Sequence, residues 1–148
     1  IVRSNQGNPA EAVEMCRASV AAAVSAQGRA LATLYLCVAL GDVGDDQAAL
    51  DTALDAVAEG QVTGLDRGFG CYLDSLAAEA LIRLGRWSEV SGVLARQPID
   101  DTLPVGLLRL ARVKAMLAAR RGDAADALDH LAAARRAREA VVDAAQLL

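Results

Sequence analysis

Arg109, Arg112 and Arg120 are the residues of this chain best placed to do chemistry, and that chemistry is recognition of an anion rather than the making of bonds. Together with Met116 they advance by three, four and four positions, which sets all four side chains on one face of a helix. A carboxylate or phosphate that meets two guanidinium groups gains charge-assisted hydrogen bonds of roughly 1.5–3 kcal/mol each. Met116 supplies an adaptable apolar floor between the charges, and Tyr72 is the aromatic residue expected to complete the site. The reading requires that the arginines are not both paired with acids, and Glu79 is the acid able to take one of them.

No set of residues suggests catalysis. The single His130 has no cysteine or serine beside it in a motif, and the acidic residues stand singly at helix starts or along wetted faces. Cys16, Cys37 and Cys71 are odd in number and widely spaced, lack a Cys-x-x-Cys pair, and cannot complete a zinc set with one histidine. Buried apolar packing is the expected role of the three thiols, and a reducing, cytoplasmic setting fits it. The four glycines between Gly60 and Gly70 have no following Gly-Lys-Ser/Thr and no preceding strand, so they are not a phosphate loop. No cofactor and no metal is expected.

Positioning such residues falls to helices. Of the 148 residues 54% are hydrophobic and 3% aromatic, much of the apolar share being alanine, which suits closely packed helices and leaves strands little to draw on. A net charge of −4 argues against a basic surface for nucleic acid. No apolar run approaches the ~18 residues a membrane span needs. Fourteen arginines against the single Lys114, with this much alanine, point to a high-GC bacterial gene.

Asn8-Pro9-Ala10-Glu11 supplies an N-cap, a proline at the first helical position and a glutamate at N3, so a helix is expected from Asn8 to about Gln27. An inner helix follows over Arg29–Val43, with Leu31, Leu34, Leu36, Val38 and Leu40 over much of its surface. After Gly44-Asp45-Asp46 the spacing predicts a helix over Gln47–Glu59, with a buried stripe of Ala49, Leu50, Ala53, Leu54 and Val57 and a wetted face of Asp51, Asp55 and Glu59. The helix is expected to stop near Gly60, with a turn at Gly64 and an N-cap at Asp66. Helices are then expected over Cys71–Leu84 and from Trp87 to about Arg96. An irregular link with Pro98, Asp100 and Asp101 leads to Pro104, where a helix to Arg121 begins. The last helix runs from Ala124 to about Ala140 and is expected to bury Ala127, Leu128, Leu131 and Ala134, with Val141–Leu148 prolonging it or starting another.

The turn glycines Gly7, Gly44, Gly85 and Gly122 are 37, 41 and 37 residues apart, close to the ~34 to ~47 residues of helix-pair repeats. Small residues recur in register: Cys37, Ala78 and Ala115 stand seven before the turn, and Ala12, Ala49, Val90 and Ala127 five after it. In this the sequence resembles tetratricopeptide-type repeats, which place a glycine at the turn, an aromatic two residues later and an alanine five later. Trp87 fits the aromatic place, while Pro9, Asp46 and Ala124 do not. The stretches Ala78–Val90 and Ala118–Leu128 look like the helical-repeat region of large bacterial ATP-binding regulators of the LuxR family.

The resemblance implies an all-α fold of antiparallel helix-pair repeats, a tetratricopeptide-like α-solenoid of about seven helices forming one domain over 1–148. It also implies a piece of a longer multidomain chain, because the helix after Gly7 lacks its partner. The first helix of each pair is then expected to line a concave groove. That groove carries Leu31, Leu34 and Val38, then Tyr72, Ser75, Glu79 and Arg83, then Arg109, Arg112, Met116 and Arg120. The function implied is non-catalytic binding of a protein, peptide or small anionic effector in a transcriptional regulator. A regulatory domain of a bacterial protein kinase or nucleotide cyclase is the alternative. Self-association through apolar flanks of the end helices is expected.

Overall fold

The computed structural model describes residues 7–64, 66–96 and 104–146, the side chains of 66–68, 104–105 and 140–146 excepted. Among the described residues the chain is all helical, with seven helices and no strand. These are α1 (Pro9–Ala22), α2 (Ala26–Val43), α3 (Asp46–Thr63), α4 (Asp66–Arg83), α5 (Trp87–Leu94), α6 (Pro104–Arg121) and α7 (Ala124–Gln146).

The turn glycines act as their spacing predicts. Gly7, Gly44, Gly85 and Gly122 all adopt positive φ, between +75° and +83°, a conformation that a Cβ opposes. Gly44 ends α2 in this way, and Asp45 caps α3 by accepting from the backbone N–H of Ala48 at 3.2 Å. Asp123 does the same for α7, accepting from the N–H of Asp126 at 3.0 Å. At α1 the expected cap takes another form, because the Asn8 side chain donates to Glu11 at 2.6 Å and leaves the backbone N–H groups alone.

Several boundaries differ from those expected. The first helix stops at Ala22 instead of reaching Gln27. Ala23 and Ser25 are extended, and the Ser25 hydroxyl caps α2 at the N–H of Gly28, 3.0 Å away. Val24, expected within the first helix, is fully exposed in this break. Helix α3 passes through Gly60 to Thr63, whose hydroxyl returns to the carbonyl of Glu59 at 3.0 Å, and the stop is the left-handed Gly64. Helix α4 begins at Asp66, one turn before the expected Cys71, so Gly68 and Gly70 are helical, and α5 ends at Leu94. The link with Pro98, Asp100 and Asp101 lies outside the described residues, as do the side chains of Val141–Leu148.

Contacts run between successive helices, with α1 on α2, α2 on α3, α3 on α4, α4 on α5 and α6 on α7. Two further pairs skip a helix, α2 with α4 and α4 with α6, so α4 is the element on which the others converge. From Leu73 to Ile82 every residue of α4 is buried. Of the expected stripe of α3, Ala49, Leu50, Ala53 and Val57 are in the core and Leu54 packs against it partly buried, and in α2 Leu34, Leu36, Cys37 and Leu40 are buried while Leu31 is not. The expected buried face of α7 is only half correct. Ala127 and Ala134 are buried, but Leu128 and Leu131 are 66% and 48% exposed, because α7 packs on α6 and the two leucines stand off that contact.

Candidate functional site

Because α4 touches both α2 and α6, residues 30 to 42 positions apart in sequence meet along it. The centre of this meeting is Glu79, 4% exposed on α4. Its Oε2 accepts from Arg109 at 2.8 Å and its Oε1 from Arg112 at 2.8 Å, both on α6. Arg83, one turn along α4, donates to the same Oε1. Through its other terminal nitrogen Arg83 reaches Asp46 of α3 at 3.3 Å and the carbonyl of Gly41 of α2 at 3.4 Å. Gly41 is what permits this approach, since a Cβ there would stand 2.7 Å from the Arg83 nitrogen.

The guanidinium of Arg109 lies over the ring of Tyr72, 4.8 Å from its centroid, and reaches the phenol oxygen at 3.5 Å. Its Nε is buried without a hydrogen-bond partner among the described residues. Arg112 is half-exposed, and Glu79 is its one partner there, leaving Nε and the second terminal nitrogen open to a visitor.

Of the residues expected in a groove, the structure brings Tyr72, Glu79, Arg83, Arg109 and Arg112 into one cluster. Ser75 is not part of the lining: it is fully buried, and its hydroxyl is spent on the carbonyl of Cys71 at 2.7 Å. Met116 is partly buried against the core, and Arg120 is exposed one turn further along α6. The expectation of unneutralised arginines fails, and with it the site in which Arg109 and Arg112 together grip an anion; of the two, Arg112 alone is half-exposed. Arg109 and Arg112 are both paired with Glu79, because that carboxylate, in the last third of α4, faces α6 at the level of both guanidinium groups. Asp46 and Gly41 were missed as members of the cluster; they sit at the far ends of other helices, and nothing local to them signals Arg83.

Beside the cluster, between α2, α4 and α6, lies a cleft of about 100 Å³ lined by Val38, Gly41, Asp42, Arg83, Arg109 and Arg112 among others. That is room for a few water molecules or one small polar group. Three guanidinium groups face two carboxylates in hydrogen-bonding range, Glu79 and Asp46, with the exposed Asp42 at the rim. The cleft is therefore polar and close to electrically balanced.

At its apolar wall stands Cys37, 1% exposed. Burial pushes its thiol up to about 12, against a backbone hydrogen bond and the Arg109 charge that pull it down. A thiol so held is no nucleophile at neutral pH. Among the described residues no three His, Cys, Asp or Glu side chains are grouped to hold a metal ion, and no helix is long and apolar enough to cross a membrane. His130 sits on α7, 3.3 Å from Asp126 and away from the cluster. Compared with known protein families, curated proteins and solved structures, the chain matches none.

Proposed function

We propose that this chain is a non-catalytic binding module, a tetratricopeptide-like array whose inner helices α2, α4 and α6 present the Arg83–Glu79–Arg109–Arg112 cleft to a protein segment, peptide or small anionic effector. The observation that carries the reading is the buried charge cluster itself. A buried ion pair is often no more stabilising than apolar residues of the same volume, so stability alone is a weak reason to place Glu79 and three guanidinium groups between helices. A polar cleft with open donors on Arg112 is the arrangement that orients a polar ligand on an otherwise alanine- and leucine-rich surface. In this reading the ligand's acidic group meets the outward donors of Arg112.

The module serves a larger protein, by our reading a bacterial cytoplasmic transcriptional regulator of the LuxR type. The flanking reading frame tests that part: a nucleotide-binding loop upstream with a helix-turn-helix downstream supports it, and a kinase or cyclase signature replaces it with a regulatory domain of an enzyme. Binding is tested by calorimetric titration of the 148-residue chain with random-sequence peptides ending in a free carboxylate and with the same peptides amidated. Saturable binding that is lost in Arg112→Ala, with an unchanged melting temperature, supports the cleft. Binding indifferent to Arg112→Ala, or none with either peptide set, removes it.

A further inference from the structure

The two exposed leucines of α7 stand at the same distances from their turn glycine as residues that α1 and α3 bury or partly bury, although the α5 counterpart Ser91 is exposed. Six residues after the turn glycine stand Val13, Leu50, Ser91 and Leu128, and nine after it Cys16, Ala53, Leu94 and Leu131. Val13 and Leu50 are 6% and 2% exposed, and Ala53 is fully buried, in helices packed against their neighbours. Leu128 and Leu131 fill the same places with large apolar side chains and have nothing over them. On the same outward side lie the exposed Ala125 and Ala132, small enough to let another helix approach closely, together with the exposed Arg135 and Glu139.

The charges beside this patch say what covers it. Asp129 and Arg136 are exposed, two turns apart and on one flank of the helix, and neither has a partner within the chain among the described residues. If two such helices lie antiparallel about a two-fold axis near Ala132 and Ala133, the shared flank sets Asp129 of each against Arg136 of the other. The same axis brings Leu131 of the two copies together, and Leu128 of each is covered. A two-fold pair satisfies both charges at once with one surface, because the patch is complementary to itself.

We propose that the outer face of α7 is a self-recognition surface, on which a second copy of this chain docks its own α7 antiparallel, apolar contact coming from Leu128 and Leu131 and orientation from the two Asp129–Arg136 pairs. One helix pair buries less than the ~1,200 Å² at which stable interfaces begin, so the dimer is weak and forms at micromolar concentration or above. The proposal does not depend on the cleft binding a ligand.

Sedimentation equilibrium of the 148-residue chain over a concentration series tests it. The expected result is a monomer–dimer equilibrium that the double change Leu128→Lys, Leu131→Lys shifts to monomer at unchanged melting temperature. Asp129→Arg and Arg136→Asp, each alone, are expected to weaken the dimer about tenfold. An equimolar mixture of the two single variants is expected to recover it, since each then faces its opposite charge. A monomer at every concentration overturns the proposal and leaves the face to a helix of another chain. A dimer indifferent to the leucine changes overturns it too, and a mixture that does not recover overturns the antiparallel arrangement on which it rests.

Discussion

Glu79 and Arg112 form one ion pair, yet the two partners are unequal because one is buried and the other is half in water. Glu79→Ala leaves three guanidinium groups facing each other, Arg109 among them largely buried, and is expected to destabilise the chain by about 3 kcal/mol. Arg112→Ala removes one of three donors from a carboxylate still held by two, at a site open to solvent, and is expected to change stability by less than ~1 kcal/mol. Urea unfolding of the two variants measures the difference, and equal losses would show that burial does not decide it.

Cys37 gives a pH dependence. Its folded thiol is held up to about 12, whereas an unfolded thiol titrates near 9.0. Between those values the unfolded chain gives up the proton and the folded chain keeps it, so the unfolded state is favoured as pH rises. The contribution is intact below pH 9 and is lost at up to about 1.4 kcal/mol per pH unit above it. The pH profile of Cys37→Ala should lack this fall, and parallel profiles of variant and parent would count against it.

The helices owe their ends to a few backbone positions. At Gly44 and Gly85 a Cβ would meet no neighbouring atom within 4 Å, so replacement there tests the left-handed backbone alone. Gly44→Ala and Gly85→Ala are each expected to lose about 1 kcal/mol, read as lowered urea midpoints at unchanged slope. Asparagine at the same places should lose less, because it tolerates the left-handed region better. Gly41 differs in kind. It lies within α2, where alanine favours the helix, but its Cβ would displace the Arg83 guanidinium. One boundary eluded sequence reasoning: the break at Ala23–Ser25 interrupts a run of good helix formers, and its one local sign is the Ser25 cap.

Across the whole molecule, α4 has the most neighbouring helices and the outermost helices have one each. Helix α4 meets α2, α3, α5 and α6, while α1 packs on α2 and α7 on α6. In such a row each element is stabilised by its neighbours, and the outermost elements open first. Amide hydrogen exchange is therefore expected to be slowest over Leu73–Ile82 and fastest in α1 and the outer half of α7. Uniform protection along the chain would contradict this arrangement.

What the sequence determined by itself was the class and the punctuation: alanine-rich, aromatic-poor composition compels helices, and glycines 37 or 41 apart mark their turns. Tyr72 and Arg109, which the sequence marks as both standing thirteen residues before a turn glycine, do meet in the structure. Exposure and pairing were decided by the tertiary structure. Leu128 and Leu50 both stand six residues after a turn glycine, yet one is in water and the other in the core, because Leu50 faces neighbouring helices and Leu128 faces none among the described residues. Likewise, three and four spacing put Arg109 and Arg112 on one face but said nothing of what that face meets. Helix periodicity is a property of one element, whereas Glu79 reaches both arginines through the distance and rotation between two.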